Sequence, residues 1–207
     1  MEKERFELIE KGVRTALEAH RGVFRKGTKL PYLVHAMEAC VIVASVTDDP
    51  EMITAALLHD TIEDGNVSYE TIQENFGSRV ANLVLADTHE VTVKAPYDPV
   101  KIWKETKQSS LDHLEHSERD AKIVALGDKL SNIRAMERDY LNMGMALFEK
   151  FSVNDPYLHK WYYYGLVKVM SDLSDLEPYK EFKKRVRSLF SKAAPSRYRK
   201  QEMSRKS

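Results

Sequence analysis

The sequence predicts an all-α domain. Three observations carry that expectation: few chain-breaking residues, apolar residues recurring at helical spacing, and stop signals between those runs. With 8 glycines and 7 prolines in 207 residues, a many-turned β architecture lacks its usual turn residues. Hydrophobic residues at 43% beside 31% charged describe an ordinary globular chain, long enough to bury a core. Its 32 basic residues balance 32 acidic ones, so no global field draws it to nucleic acid or a membrane. Cys40 is the single cysteine, which leaves no internal disulfide and suits a reducing compartment. Met1-Glu2-Lys3-Glu4-Arg5 opens no signal peptide, and no apolar run approaches a membrane span. The expected location is cytoplasmic.

In chain order, Phe6, Ile9, Val13, Ala16 and Leu17 mark a first amphipathic helix to about His20. A basic loop follows, Arg21 to Lys29, with Gly22 and Gly27 inside it and Leu30-Pro31-Tyr32 closing it. A second helix runs from about Leu33 to Val46. Asp49-Pro50 then caps a central helix expected over Glu51 to Ile62. Ser68 caps another helix that ends at Phe76-Gly77, and Ser78 to Ala86 continues apolar. Thr88 to Pro99 holds two prolines and reads as a loop, and Val100 to about His116 as a charged surface helix. Asp120 to about Met136 is a second buried helix. Tyr157 to Leu173 is rich in aromatics read as core, and Tyr179, Phe182, Val186, Leu189 and Phe190 form a last helical stripe. Residues 1–193 are thus expected to form one domain. Residues 194–207 form a basic tail, read as a solvated terminus rather than a binder of RNA or acidic lipid.

The chemistry concentrates in Ala55-Ala56-Leu57-Leu58-His59-Asp60-Thr61-Ile62-Glu63-Asp64. Here an apolar run ends in an imidazole and three carboxylates. On a helix His59 and Asp60 stand about 100° apart, and Glu63 and Asp64 follow one turn on. Such groups are costly at the end of a buried helix unless they bind something. Two more anomalies are candidates for further ligands, though a buried histidine can also be a satisfied core residue and a buried aspartate can be paired. His35 lies near the start of an apolar helix, and Asp128 interrupts the run Ala121 to Leu130, with Asn132 one turn beyond it. The other histidines, His20, His89, His113, His116 and His159, sit in polar or terminal contexts and are expected to be solvated or loosely packed.

The order His35, His59-Asp60, Asp128 resembles the HD superfamily of metal-dependent phosphohydrolases. Four blocks are more specific: Arg25 to His35, Leu57 to Asp64, Phe76-Gly77, and Asp128-Lys129-Leu130-Ser131-Asn132-Ile133-Arg134. They resemble the hydrolase domain of the RelA/SpoT family, and its stand-alone small alarmone hydrolases above all, over about residues 5 to 190. That resemblance implies an HD-domain helical bundle of roughly ten helices. It also implies one divalent ion, commonly Mn²⁺, held by His35, His59, Asp60 and Asp128. The implied reaction removes the 3′-pyrophosphate of guanosine tetra- or pentaphosphate (ppGpp or pppGpp). Glu63 and Asp64 match the positions for water activation, Arg25 the basic residue of the loop before the first ligand, and Asn132 a nucleotide-contacting asparagine. The sequence departs from the family at Ala36, where a proline is common, and in the longer loop at Lys29-Leu30.

The residue types support this chemistry by themselves. Two imidazoles and two carboxylates hold a divalent ion and leave positions open for water and a phosphate oxygen. Arg25 and Lys26 can engage phosphates, the first as a bidentate fork and the second as a point charge. Tyr32 can stack on a base or simply pack. The expected partner is a small nucleotide, without membrane or nucleic acid. The alternatives are an HD phosphatase for another phosphorylated nucleotide, such as NADPH or an adenosine analogue, and a silent nucleotide-binding or RNA-associated module.

Overall fold

The computed structural model describes residues 2–63, 67–86 and 98–194. Among them run nine α-helices: α1 (Glu2–Ala19), α2 (Leu33–Ala44), α3 (Pro50–Leu58), α4 (Tyr69–Phe76), α5 (Ser78–Leu85), α6 (Pro99–His116), α7 (Arg119–Met143), α8 (Pro156–Val169) and α9 (Glu177–Ala193). Two 3₁₀ segments, Gly144–Lys150 and Ser171–Leu173, flank α8. The only strand-like pairing among the described residues is an antiparallel bridge between Phe24 and Pro31. The expected all-helical bundle is therefore present.

The spine is α7, which packs against α2, α3 and α9. Ile123, Val124, Ala125, Leu126, Leu130 and Ile133 are all buried along it. At about 1.5–3 kcal/mol for each large side chain removed from water, this face alone accounts for its docking. Gly127 sets how closely α2 approaches. A Cβ there would stand 2.9 Å from both the Ala39 carbonyl oxygen and Val43 Cγ2. The two helices cross through small residues, and the crossing carries Asp128 up to His35.

The start of α3 is fixed by charge. The Asp49 carboxylate accepts from the Glu51 N–H at 2.9 Å, and Pro50 occupies the first turn, where its missing N–H costs nothing. Arg79 of α5 then reaches Asp49 at 2.8 Å, Glu51 at 2.6 Å and Asp120 of α7 at 2.8 Å. These partly exposed pairs are individually weak, but one guanidinium ties the starts of α3 and α7 to α5. From Met52 to Leu58 every α3 side chain is buried.

Several expectations need correction. The central helix stops at Leu58 rather than Ile62, and His59 to Glu63 form turns. The cause is Thr61: its N–H and its hydroxyl both take the Leu58 carbonyl, at 2.9 and 2.7 Å, and tighten the chain out of the α-ladder. Helix α7 continues beyond Met136 to Met143, one turn or more longer than the apolar pattern suggests. On α2 the apolar residues Val34, Met37 and Val41 lie exposed, while Ala36, Ala39, Ile42 and Val43 face the core. His20 and His159 are buried rather than solvated, because ring packing with Tyr32 and with Phe151 and Trp103 replaces water around them. Asp64, His89, most of the loop after Thr88 and the tail from residue 195 lie outside the described residues.

Candidate metal centre and its cavity

Three segments deliver the expected ligands to one point: His35 from the first turn of α2, His59 and Asp60 from the turn after α3, and Asp128 from the middle of α7. One ligand atom from each lies within 4.8 Å of all the others. His35 Nε2 is 3.1 Å from His59 Nε2 and 3.0 Å from Asp128 Oδ1, and His59 Nε2 is 2.8 Å from Asp60 Oδ2. The remaining two imidazole–carboxylate distances are both 3.6 Å. Ligands about 2.1 Å from a common ion lie about 3.0 Å apart at right angles and about 3.4 Å apart at tetrahedral angles. The four atoms fit a divalent cation.

The tautomers agree with that fit. His59 Nδ1 lies 2.8 Å from the Ala56 carbonyl, which can only accept, so Nδ1 carries the proton and Nε2 turns its lone pair inward. His35 Nδ1 lies 2.8 Å from Ser131 Oγ, whose own hydroxyl donates to Glu38 at 2.7 Å, so Nε2 of His35 is likewise a lone pair. Two inward lone pairs and two carboxylates converge on one buried point, an arrangement suited to a cation. Burial alone would lower the His59 pKa, but the Asp60 and Asp128 carboxylates outweigh it and hold it well above its ordinary value. Burial likewise opposes ionisation of Asp60, yet His59 and His35 hold it well below the carboxylate range. Proton and metal ion therefore compete for the same four groups.

The carboxylates are steered in turn. The Tyr32 hydroxyl donates to Asp60 Oδ2, while Asn132 and Lys129 donate to the two oxygens of Asp128. Tyr32 thus bonds to an expected metal ligand, with its ring edge-on to His35. Arg25 donates to the Asn132 side-chain oxygen Oδ1 at 3.0 Å and sits over the Tyr32 ring. The loop places it there through a tight tip. Arg25 N–H pairs with the Leu30 carbonyl at 2.8 Å and Thr28 N–H with the Arg25 carbonyl at 2.9 Å. Gly27 takes φ 70°, where side chains are disfavoured, and a Cβ would strike Lys150.

These residues open into a cavity of about 630 Å³, within the size range of small-molecule sites. Asp60, Glu63 and Asp128 line one side, Arg25 and Lys26 the loop side, and Trp103 and Lys107 of α6 with Tyr162 of α8 another. Every expected site residue within the described part of the chain is at this centre or lines this cavity. The sequence does not announce the α6–α8 wall. A charged helix and an aromatic core stripe give no hint that they meet over a cavity, although Trp103, Thr106 and Lys107 do share a helical face. Lys129 pairs with Asp128 and Lys150 with Asp139 at 2.8 Å. Among the described residues, Lys26, Lys107 and Arg138 line the cavity without an ion pair, leaving positive charge for an anion.

A family model described as HD domain matches residues 13–151, about two thirds of the chain. The chain is 35% identical over 135 residues to the guanosine-3′,5′-bis(diphosphate) 3′-pyrophosphohydrolase MESH1 of Xenopus tropicalis, covering 63% of this chain and 70% of that one. The chain belongs to the HD-domain family, and MESH1 is among its relatives. Among solved structures, this HD protein matches one from Listeria monocytogenes EGD-e with a TM-score of 0.67 at 25% identity, over 76% of this chain and 99% of that one. It also matches a metazoan ortholog of SpoT that hydrolyzes ppGpp, with a TM-score of 0.63 at 22% identity, over 91% and 96% of the two chains; this likeness shows the fold. Of the long Arabidopsis thaliana relative RSH1, a putative GTP diphosphokinase, this HD protein spans only 16%.

Proposed function

We propose that this HD protein is a metal-dependent pyrophosphohydrolase that removes the 3′-pyrophosphate from guanosine tetra- or pentaphosphate, yielding GDP or GTP and pyrophosphate. The observation that carries the reading is the convergence of His35, His59, Asp60 and Asp128 on one buried point beside a nucleotide-sized, partly cationic cavity. The name of the MESH1 relative supports the substrate. The resident ion is read as Mn²⁺ and the location as cytoplasmic; among the described residues no helix is long and apolar enough to cross a membrane. Residues 1–193 are assigned to the hydrolase and 194–207 to an accessory tail.

A bound divalent ion would supply Lewis-acid stabilisation of the charge that develops on the phosphoryl oxygens. The chain's own residues do the rest. Glu63, on the exposed turn beside Asp60, is assigned to take the proton from the attacking water, and Asp64 to align that water. The new bond joins the water oxygen to phosphorus, the bond from phosphorus to the ribose 3′-oxygen breaks, and that oxygen receives a proton. Arg25 and Lys26 are assigned to the phosphates. Asn132, held between Arg25 and Asp128, keeps the nucleotide in register with the ligands. Tyr32, bonded to Asp60, supports the substrate side of the same wall.

The test is product analysis by phosphorus NMR, with the Mn²⁺-loaded protein offered ppGpp, its adenosine counterpart and NADPH. Pyrophosphate and GDP from the first are expected. Orthophosphate from NADPH alone would overturn the substrate and move the protein to the other nucleotide phosphatases.

A further inference from the structure

The two histidine ligands are oriented by different devices. His59 is fixed by a backbone carbonyl, while His35 depends on a side-chain relay. His35 Nδ1 lies 2.8 Å from Ser131 Oγ, Ser131 donates to Glu38 Oε2 at 2.7 Å, and Arg134 donates to Glu38 Oε1 at 3.1 Å. Ser131 is 1% exposed, so water cannot replace either partner. A serine has one proton to give. Glu38 takes it, as a carboxylate held by a guanidinium accepts and does not donate. Ser131 can then only accept from His35, which puts the imidazole proton on Nδ1 and the lone pair on Nε2. Arg134 keeps its remaining N–H groups for Glu181 of α9, at 2.8 and 2.7 Å, which holds the far end of the relay in place.

We infer that Glu38 and Ser131 are positioning residues for the metal centre: Glu38 polarises Ser131, and Ser131 sets the tautomer and ring orientation of His35. This rests on the reading of His35 as a metal ligand. Partners of this kind typically change metal affinity roughly 10–100-fold when removed. A purely structural role for the Glu38–Arg134–Glu181 cluster would instead alter stability and leave the ion alone.

The experiment is Mn²⁺ titration calorimetry on metal-free protein, paired with ¹⁵N NMR of the imidazole nitrogens. Ser131→Ala removes the acceptor. Glu38→Gln permits the reverse polarity, in which the amide donates to Ser131 and Ser131 to His35. Both should weaken Mn²⁺ by roughly 10–100-fold, and Glu38→Gln should move the His35 proton signal from Nδ1 toward Nε2. Ser131→Thr keeps the hydroxyl and should restore most of the affinity. Glu181→Gln, which loosens only the outer end, should change affinity less than about twofold while lowering stability. Wild-type affinity in Ser131→Ala and Glu38→Gln, or a loss no larger than that of Glu181→Gln, would overturn the inference while leaving the metal centre standing. Failure of the wild-type protein to take up Mn²⁺ would overturn both.

Discussion

The two sides of the cavity are built on opposite principles. The metal side gathers His35, His59, Asp60 and Asp128, each pinned by a named hydrogen bond within the helical core. The α6–α8 side presents Trp103, Tyr162 and Lys107, the lysine 5.0 Å from the Tyr162 ring centre, and among the described residues these three have no comparable web of side-chain hydrogen bonds. One side is negative and rigid, fit to hold a cation. The other is aromatic and positive, fit to receive an anionic ligand without fixing a single pose. On the proposed reading the first side carries the reaction chemistry, and the second adds positive charge and aromatic surface for the substrate.

Substitutions can break this division in order of severity. Asp128→Ala should abolish Mn²⁺ uptake, measured by calorimetry or elemental analysis. Losing the several kcal/mol of charge stabilisation that the ion provides, turnover should fall about a thousandfold or more. Full metal stoichiometry in this variant would end the ligand assignment. Glu63→Gln should retain the ion but lower kcat by about 10²–10⁴, since shape survives and the proton acceptor does not. Near-normal turnover would remove Glu63 from the mechanism.

On the opposite side, Lys107→Ala should keep both the ion and the proton acceptor. If Lys107 meets a phosphate, kcat/KM should fall by about 10–100-fold, the worth of one charged hydrogen bond, with most of the change in KM. An unchanged KM would confine Lys107 to packing on Tyr162. The smallest effect is expected away from the cavity. The Arg134 hydrogen bond, against burial and with help from Arg185, lowers the Glu181 pKa from an ordinary 4.5 to about 2. A carboxylate depressed in the folded state stabilises above its unfolded value, so this contribution is complete above about pH 4.5 and is lost as pH falls toward 2. Thermal melts of Glu181→Gln should show a shallower acid dependence in that window, by well under the full shift because its side chain, 32% exposed, is still screened by water.

Much of the metal side was legible in the chain because ionisable residues inside apolar runs are anomalies. His35, His59-Asp60 and Asp128 stand out against Val, Leu and Ala neighbours, and the structure brings all four together. The other side was not legible, because Trp103 and Tyr162 satisfy a core just as well as a cavity wall, and only tertiary packing decides between them. The end of α3 was hidden for a local reason: Thr61 competes for the Leu58 carbonyl, a choice that apolar periodicity does not register. Ser131 and Glu38 are not legible as a pair, because a serine and a glutamate on separate helices look solvated until packing sets them beside each other and His35.

Gly127 has a consequence for the choice of ion. Its missing Cβ permits the α2–α7 contact at the Ala39 carbonyl, and that contact separates the helices bearing His35 and Asp128. Divalent ions differ in preferred bond length by only a few tenths of an ångström, from about 2.1 Å for Mg²⁺ to about 2.3–2.6 Å for Ca²⁺. A methyl group at position 127 would wedge the crossing open by a comparable amount. On the proposed reading, the spacing of the ligands is therefore set partly outside the coordination sphere, in the clearance between two helices.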